Sequence, residues 1–299
     1  MRTQCHEVLS AARSLGLRYY DAARSYGMAE EFLSTWLGGL PAGAAQELLV
    51  GSKWGYRYTA GWKVDTGGAP HEVKEHTARH LGEQAAETAG LLGGTGCLRL
   101  YQVHSASLES GALSPEVVAA LGALRRERGW ALGLTLTGVG QADTLRAAMR
   151  AEDPATGERL FGSVQATWNL LEQSAGPALL EARAAGMDVI VKEAMANGRL
   201  TRRNRAPGFA PRLEALCAAA EEMGATVDAL ALAVAMAQEF APVVLSGATS
   251  PGMLESNAQS LSLVAALRGD KAGLMQHLME ILRQDPQEYW DERAALAWN

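Results

Sequence analysis

Short apolar runs alternate with longer amphipathic stretches along almost the entire chain. Several of the apolar runs are rich in β-branched residues, which is typical of strands that are buried on both faces. They predict strands over Leu17–Ala23, Leu48–Trp54, Leu98–His104, Ala131–Thr137, Val164–Asn169, Val189–Glu193 and Val243–Ala248. The stretches around them predict helices over Thr3–Ser14, Met28–Leu37, Glu72–Leu92, Pro115–Arg128, Gln141–Arg150, Pro177–Ala185, Arg212–Met223, Val227–Phe240, Pro251–Leu267 and about Asp270–Gln284.

The regular succession of strand and helix indicates an α/β protein with a parallel sheet. Because the pattern shows no central reversal, it favours a (β/α)8 TIM barrel, with a doubly wound sheet as the alternative. The chain of 299 residues suits one such barrel, so we expect a single domain over residues 1–299, with a C-terminal helix and tail from about residue 270. The predicted strands are one short of eight. The helix Thr3–Ser14 precedes the first of them, so the missing first strand would belong before Met1.

The amino-acid composition and net charge argue against several classes of protein. The chain is 48% hydrophobic and 20% charged, which is typical of a globular protein with a large core. Its net charge of -6 argues against a general affinity for nucleic acid or for anionic membranes. No apolar run approaches the roughly 18 residues of a membrane span, and the first residues lack the apolar core of a signal peptide. The 3 cysteines have no metal-binding or redox spacing, so we expect a cytoplasmic protein.

Polar side chains stand out where the first three predicted strands end. Asp21 and Tyr26 follow the first strand, Lys53 ends the apolar part of the second, and His104 ends the third. If these strands are parallel neighbours, the four side chains converge at one edge of the sheet. Aspartate, tyrosine, lysine and histidine together form a plausible acid–base set.

Taken with their neighbours, these residues resemble the aldo-keto reductase superfamily over nearly the whole chain. Each matching segment is weak alone, but they occur in order and at plausible spacing. They are Asp21–Gly27, Ser52-Lys53, Tyr101–His104, Val164–Glu172, Ala196–Leu200, and Gly247–Pro251 followed by Asn257.

The resemblance implies a nicotinamide-dependent oxidoreductase that reversibly reduces a small aldehyde, ketone or sugar. It assigns proton donation to Tyr26, charged support to Lys53 and Asp21, and orientation of the carbonyl to His104. The cofactor would be NADP(H), with NAD(H) as the alternative. The expected partners are therefore small molecules, without nucleic acid or membrane, and the oligomeric state stays open.

The resemblance also implies positions that bind cofactor and substrate. Trp54 and Trp168 are the candidate substrate walls, and Tyr56, Tyr289, Trp290 and Trp298 are further aromatic candidates. The expected cofactor-binding residues are Thr135, Gln165, Lys192, Gly198, Gly247, Thr249, Ser250 and Asn257.

The acid–base set makes chemical sense independently of the resemblance. Hydride delivery to a carbonyl creates an alkoxide that needs a proton, and a free phenol with a pKa of about 10 is a weak acid at neutral pH. A nearby ammonium such as that of Lys53 lowers this pKa, and an aspartate such as Asp21 keeps the ammonium charged and in place.

Simpler interpretations remain open for single residues. Asp21 can be a loop residue that caps the following helix, Tyr26 a half-buried tyrosine, and His104 a hydrogen-bonded core histidine. Gln165 can be a polar strand residue, and Gly247–Ser250 an ordinary capped turn.

Two departures from the family pattern concern the cofactor. Lys192 stands where many members stack an aromatic ring on the nicotinamide, and Met253 stands where relatives often place a basic residue for the 2′-phosphate. Arg202 or Arg203, in an arginine-rich loop, is the alternative phosphate ligand.

Two rival functions follow from the same residues. One is a catalytically weak nucleotide-binding or regulatory relative of the family. The other is an unrelated barrel isomerase or lyase that uses Lys53 as a Schiff base. A metal site is disfavoured, because His71, His76 and His80 lack a metal-ligand spacing.

Overall fold

The computed structural model describes residues 1–41, 43–61, 63, 65–240 and 243–296. These residues form two compact units, a first unit over Met1–Val164 and a second unit over Gln165–Leu296. Trp298, an aromatic candidate for the pocket, lies outside the described residues.

In the first unit, strands and helices alternate as the hydrophobic pattern predicts. Its elements are α1 (Arg2–Ser14), β1 (Tyr19–Asp21), α2 (Ala29–Gly38), β2 (Leu49–Trp54), β3 (Tyr56–Tyr58), β4 (Glu72–Lys74), α3 (Ala78–Leu92), β5 (Leu98–Ala106), α4 (Pro115–Arg128), β6 (Ala131–Leu136), α5 (Gln141–Met149) and β7 (Ser163–Thr167), the last of which crosses into the second unit.

The main strands of the first unit are parallel. β1 pairs with β2 in the register Asp21↔Gly51, and β2 pairs with β5 in the register Lys53↔Gln102. β5 pairs in turn with β6, with a shift in register between Val103 and Ala106. Because parallel neighbours end at the same edge, Asp21 and Lys53 come to lie side by side.

The second unit continues the alternation and ends in a group of helices. Its elements are α6 (Gly176–Ala184), β8 (Asp188–Lys192), α7 (Ala210–Glu222), α8 (Val227–Ala237), β9 (Val243–Val244), α9 (Pro251–Ala258), α10 (Ser260–Arg268), α11 (Ala272–Leu282) and α12 (Pro286–Ala294). β8 and β9 are parallel. Among the described residues, the seven strands of the sheet follow the chain in the order β1-β2-β5-β6-β7-β8-β9, as a (β/α) succession requires.

Each unit has its own apolar core. In the first, Val50, Val103 and Leu134 from neighbouring strands are fully buried. In the second unit, α8 is buried along most of its length, and its residues Leu230 and Val234 have no exposed surface. Burial of these aliphatic side chains is the main favourable contribution to folding.

The structure differs from the predicted elements in several places. The stretch Glu72–Leu92 was expected to be one helix, but Glu72–Lys74 forms β4, which pairs antiparallel with β3. The predicted helix Pro251–Leu267 is two helices that meet at Gln259. The pattern also missed α12, whose N-terminus is capped by the Asp285 carboxylate.

Candidate active site

The ammonium group of Lys53 is the centre of the candidate site in the first unit. The side chain is 1% exposed, and it forms an ion pair with Oδ2 of Asp21. Lys53 Nζ also donates to the carbonyl oxygen of Ala22 at 2.9 Å. A buried ammonium is stable only when it is paired and hydrogen-bonded, so these two contacts explain how β2 can end in a lysine.

Tyr26 lies beside this ion pair. Lys53 Nζ lies 4.7 Å from the centroid of the Tyr26 ring, within the range of a cation–π contact. The loop that carries Tyr26 is tied to β2, because the backbone N–H of Arg24 donates to the Lys53 carbonyl at 3.1 Å. Asp21, Tyr26 and Lys53 are therefore adjacent, as the sequence predicts.

His104 completes the group. Its ring meets the Tyr26 ring edge-on, with 5.4 Å between centroids and an interplanar angle of 83°. Ser25 Oγ lies 3.4 Å from His104 Nδ1, and Nε2 of His76 donates to the His104 carbonyl at 2.9 Å. The structure thus brings together all four residues proposed for acid–base chemistry.

For both Tyr26 and Lys53, burial shifts the pKa in one direction and the charge of a neighbouring partner shifts it in the other. Burial raises the pKa of Tyr26 above its ordinary value, and this outweighs the opposite effect of Lys53. Since 48% of Tyr26 remains exposed, water reaches the ring and limits the rise of its pKa. Burial alone would lower the pKa of Lys53, but Asp21 and Tyr26 outweigh it and raise that pKa. Lys53 is therefore a stable cation that favours the phenolate of Tyr26.

A buried ion pair between Glu30 and Arg24, with its hydrogen bonds, stabilises the loop that contains Tyr26. The Glu30 carboxylate, 1% exposed, pairs with Arg24 and accepts hydrogen bonds from the hydroxyls of Ser52 and Thr88. Ser52 and Lys53 are consecutive in β2, and Arg24 lies two residues before Tyr26. Glu30 thereby connects the strand and the loop of the site.

Thr135 supports the segment after His104. Its buried hydroxyl accepts a hydrogen bond from the backbone N–H of Ser105. This contact to the protein's own backbone was not expected from the sequence, which predicted a contact between Thr135 and the cofactor.

In the second unit, Lys192 is tied to other side chains. Its ammonium donates to Thr167 Oγ1 at 2.9 Å and pairs with Glu193 at 3.3 Å. Glu193 also forms an ion pair with Arg293 of α12 at 2.8 Å. Burial would raise the pKa of Glu193, but Lys192 and Arg293 outweigh it and lower this pKa to about 2.

The segment after β8 has an unusual backbone. Glu193, Ala196 and Asn197 have positive φ angles of 56°, 49° and 53°, although none is a glycine. Such conformations are costly and persist where surrounding contacts fix them. Asn169, which donates to the Glu193 carbonyl at 2.9 Å and to the Tyr289 hydroxyl at 3.0 Å, supplies part of that support. Gly198, a predicted cofactor ligand, follows with a φ of 88°.

The predicted ligands for the adenosine end of the cofactor surround the N-terminus of α9. Ser250 caps this helix by accepting from the backbone N–H of Met253 at 3.3 Å. Asn257 donates to Ser246 Oγ at 2.8 Å, and Gly247 and Thr249 are exposed. An exposed loop before a helix N-terminus suits a phosphate group, because the helix dipole is positive there. Gln165, the remaining predicted ligand, is buried in β7.

The two predicted substrate walls are buried in the structure. Trp54 has no exposed surface and meets the His76 ring at 5.6 Å, while Trp168 is 1% exposed and meets Phe240 at 5.6 Å. Tyr56 is better placed than Trp54, because its partly exposed ring lies 4.9 Å from that of His104.

Arg202 and Arg203, the alternative phosphate ligands, are both exposed. Arg202 lies 3.6 Å from Glu221 in an exposed ion pair, which is worth little in energy. Binding of a cofactor phosphate by Arg202 or Arg203 therefore stays a prediction.

Sequence reasoning missed several residues of the site. Tyr19 donates to Asp21, Glu30 anchors Arg24, and Glu193 anchors Lys192. A signal for Tyr19 was present, because it stands two residues before Asp21 on the same strand and therefore on the same face.

Within the described ranges, no helix is long and apolar enough to cross a membrane. No group of three or more histidine, cysteine, aspartate or glutamate side chains among the described residues is arranged to hold a metal ion.

Comparison with known proteins gives a consistent assignment. The model of the Aldo/keto reductase family matches residues 2–271. No curated protein sequence matches the chain.

Two similar solved structures come from bacteria. An aldo-keto reductase from Bacillus halodurans, in its holo form, has 20% sequence identity and a TM-score of 0.72, with 93% of this chain and 88% of that chain covered. A Pseudomonas aeruginosa protein classed with the aldo-keto reductases has 22% identity and a TM-score of 0.61, with 88% and 85% covered. These likenesses confirm the α/β fold of the barrel type and exclude the doubly wound alternative.

Proposed function

The chain belongs to the aldo/keto reductase family, and from this premise we propose that it transfers a hydride between a nicotinamide cofactor and a small carbonyl or alcohol compound. The substrate class is an aldehyde, a ketone or a sugar. NADP(H) is the first candidate for the cofactor and NAD(H) the second, and the reaction takes place in the cytoplasm.

One observation carries this proposal. A buried, fully paired ammonium, that of Lys53, lies against the ring of a partly exposed tyrosine, Tyr26, which also meets a histidine, His104. A phenol next to a fixed cation is suited to exchange a proton with an oxygen atom that gains or loses charge.

In the direction of reduction, the Tyr26 hydroxyl donates its proton to the carbonyl oxygen as negative charge develops there. Lys53 stabilises the phenolate that remains, and Asp21 keeps Lys53 charged and oriented. His104 contacts the same oxygen and orients the carbonyl. In the direction of oxidation, the Tyr26 phenolate removes the proton from the alcohol.

The bound nicotinamide would supply or accept the hydride. The residues proposed to hold the cofactor are compatible with a phosphate-bearing nucleotide, because Gly247 and Thr249 leave the N-terminus of α9 accessible. Thr135 keeps a hydroxyl proton that it can donate. Gln165 would bind the amide group of the nicotinamide, and Asn257 would bind the adenosine end. Lys192 and Gly198 would lie near the nicotinamide end, and Ser250 would present the helix terminus.

The Schiff-base alternative is less well supported. A lysine that attacks a carbonyl must lose its proton, and catalytic lysines of this kind have a lowered pKa. The pKa of Lys53 is instead raised, since Asp21 and Tyr26 outweigh the effect of its burial.

A titration with NADPH and with NADH, followed by tryptophan fluorescence, tests cofactor binding. We expect saturable quenching, with tighter binding of NADPH. A screen of aldehydes, ketones and sugars then tests turnover, and Tyr26→Phe should lose about 10²- to 10⁴-fold in kcat while it still binds cofactor. Cofactor binding without turnover of any carbonyl would favour a nucleotide-binding or regulatory relative. If neither nucleotide bound to the folded protein, the proposal would be wrong.

A further inference from the structure

Tyr19 shares the Asp21 carboxylate with Lys53. The Tyr19 hydroxyl donates to Asp21 Oδ1 at 2.9 Å, while Lys53 pairs with Oδ2 of the same group. Tyr19 and Asp21 stand two residues apart in β1, so both side chains project from one face of the strand. One aspartate thus connects two tyrosines, with Lys53 between Asp21 and Tyr26.

The neighbouring strand leaves space for this contact. Gly51 is the register partner of Asp21 in β2, and a Cβ atom at this position would overlap the Tyr19 hydroxyl. The backbone of Gly51 does not have a positive φ, so its conformation alone does not call for a glycine. The close approach of the Tyr19 hydroxyl is the physical reason for a glycine here.

Tyr19 is well suited to act as a permanent donor. Burial and the adjacent carboxylate of Asp21 raise the pKa of the Tyr19 phenol, so its proton stays in place at neutral pH. Gln102 also reaches Asp21 Oδ1, but at the longer distance of 3.5 Å. A 2.9 Å hydrogen bond to a carboxylate is the stronger constraint on its orientation.

We propose that Tyr19 is a positioning residue that fixes the rotation of the Asp21 carboxylate and, through it, the place of the Lys53 ammonium beside Tyr26. The expected effect on turnover rests on the proposed reductase function. The expected effect on the position of Lys53 does not. Without the Tyr19 hydroxyl, Asp21 can rotate, Lys53 is held less firmly, and the phenolate of Tyr26 loses part of its support.

The test compares Tyr19→Phe with Tyr20→Phe. Phenylalanine keeps the ring at position 19 and removes only the hydroxyl. Tyr20 is the matched control, because its hydroxyl lies 3.4 Å from the carbonyl oxygens of Leu9 and Leu17 and belongs to the opposite face of β1.

The first readout does not depend on activity. The ¹⁵N resonance of the Lys53 ammonium, assigned through Lys53→Met, reports by NMR how fast its protons exchange with water. We expect exchange to be at least about 5-fold faster in Tyr19→Phe and unchanged in Tyr20→Phe, because a firmly paired ammonium exchanges slowly. Equal exchange in the wild type and Tyr19→Phe, or a wild-type Lys53 already in fast exchange, would overturn the inference.

The second readout applies once turnover is established. Tyr19→Phe should lose about 10-fold in kcat, which corresponds to about 1.4 kcal/mol in the barrier, with little change in KM for the carbonyl. The pH profile of alcohol oxidation should move to higher pH, because Tyr26 would ionise less readily. An unchanged pH profile would contradict the positioning role. Faster Lys53 exchange in a protein without turnover would support the inference while the proposed function failed.

Discussion

The hydroxyl of Thr135 accepts a hydrogen bond from the backbone N–H of Ser105 at 2.7 Å, and this contact holds the residue that follows His104. Ser105 has a φ of 54°, which is uncommon for a residue other than glycine. The register between β5 and β6 shifts at the same point. The hydrogen bond from Ser105 to Thr135 therefore stabilises a strained backbone directly after His104.

Replacing Thr135 by valine should disturb the site through this backbone. Thr135→Val keeps the shape of the side chain but leaves the N–H of Ser105 without its acceptor. We expect a loss of about 1–3 kcal/mol in the free energy of unfolding and a lower kcat. Urea unfolding and steady-state kinetics measure the two effects. Thr135→Ser, which keeps the hydroxyl, should stay close to the wild type in both, and a serine variant as impaired as the valine variant would contradict this explanation.

The buried carboxylate of Glu30 should matter more than its exposed neighbour. Glu30→Gln removes the charge that pairs with Arg24 at 2.5 Å and weakens the hydrogen bonds from Ser52 and Thr88. We expect a loss on the order of 3 kcal/mol in stability, since a buried pair is broken. We also expect a reduced kcat, because Arg24 and Tyr26 share one loop.

Glu31→Gln, at an exposed position of the same helix, is the matched control and should change stability by less than about 0.5 kcal/mol. Thermal unfolding distinguishes the two variants. Similar melting temperatures for both would show that the Glu30 network does not hold the loop.

The sequence predicted the acid–base site better than the groups that support it. Lys53 and His104 could be recognised because each is a polar side chain at the end of a mainly apolar run. β4 was missed because residues 72–74 continue a helical pattern, and only pairing with β3 makes them a strand. Such pairing is a tertiary effect that overrides local preference.

Glu193 is a second example of a supporting contact that the sequence does not reveal. Its partner Arg293 lies 100 residues further along the chain, in a helix that the pattern did not predict. Nothing in the local sequence around β8 marks this contact. Residues that react can thus be recognised by their type and place, whereas residues that support them depend on which distant segments meet.

Glu193 should make stability depend on pH in the acidic range. Its pKa is lowered to about 2, mainly because Lys192 and Arg293 outweigh the effect of burial. A group with a lowered pKa contributes stability that is fully present above its unfolded pKa of about 4.3 and is lost as the pH falls through the folded value. The contribution at pH 7 should be on the order of 3 kcal/mol.

Urea unfolding of the wild type and of Glu193→Gln at several pH values checks this expectation. The variant should be less stable at pH 7, and the difference should shrink between about pH 4 and pH 2. Glu255→Gln, at an exposed position of α9, is the control. A difference between Glu193→Gln and the wild type that stays constant with pH would mean that Glu193 acts by packing and not by charge.

Gly51 should be required for the contact between Tyr19 and Asp21, and alanine at this position provides an independent test. The methyl group of Gly51→Ala would overlap the Tyr19 hydroxyl and displace it from Asp21. We expect a fall in kcat of about 10-fold, similar to that of Tyr19→Phe, and faster exchange of the Lys53 ammonium. Gly90→Ala in α3, where an added Cβ meets nothing within 4 Å, is the control and should keep full activity.

The double variant shows whether Tyr19 and Gly51 act through one contact. If Gly51→Ala acts by displacing the Tyr19 hydroxyl, it should have little further effect on kcat in the Tyr19→Phe protein, where that hydroxyl is already absent. If the loss in kcat of the double variant equals the product of the two single losses, the methyl group disturbs β2, and with it Lys53, without the participation of Tyr19. Non-additive losses would tie the glycine of β2 to the tyrosine of β1, because the two substitutions would then remove the same hydrogen bond.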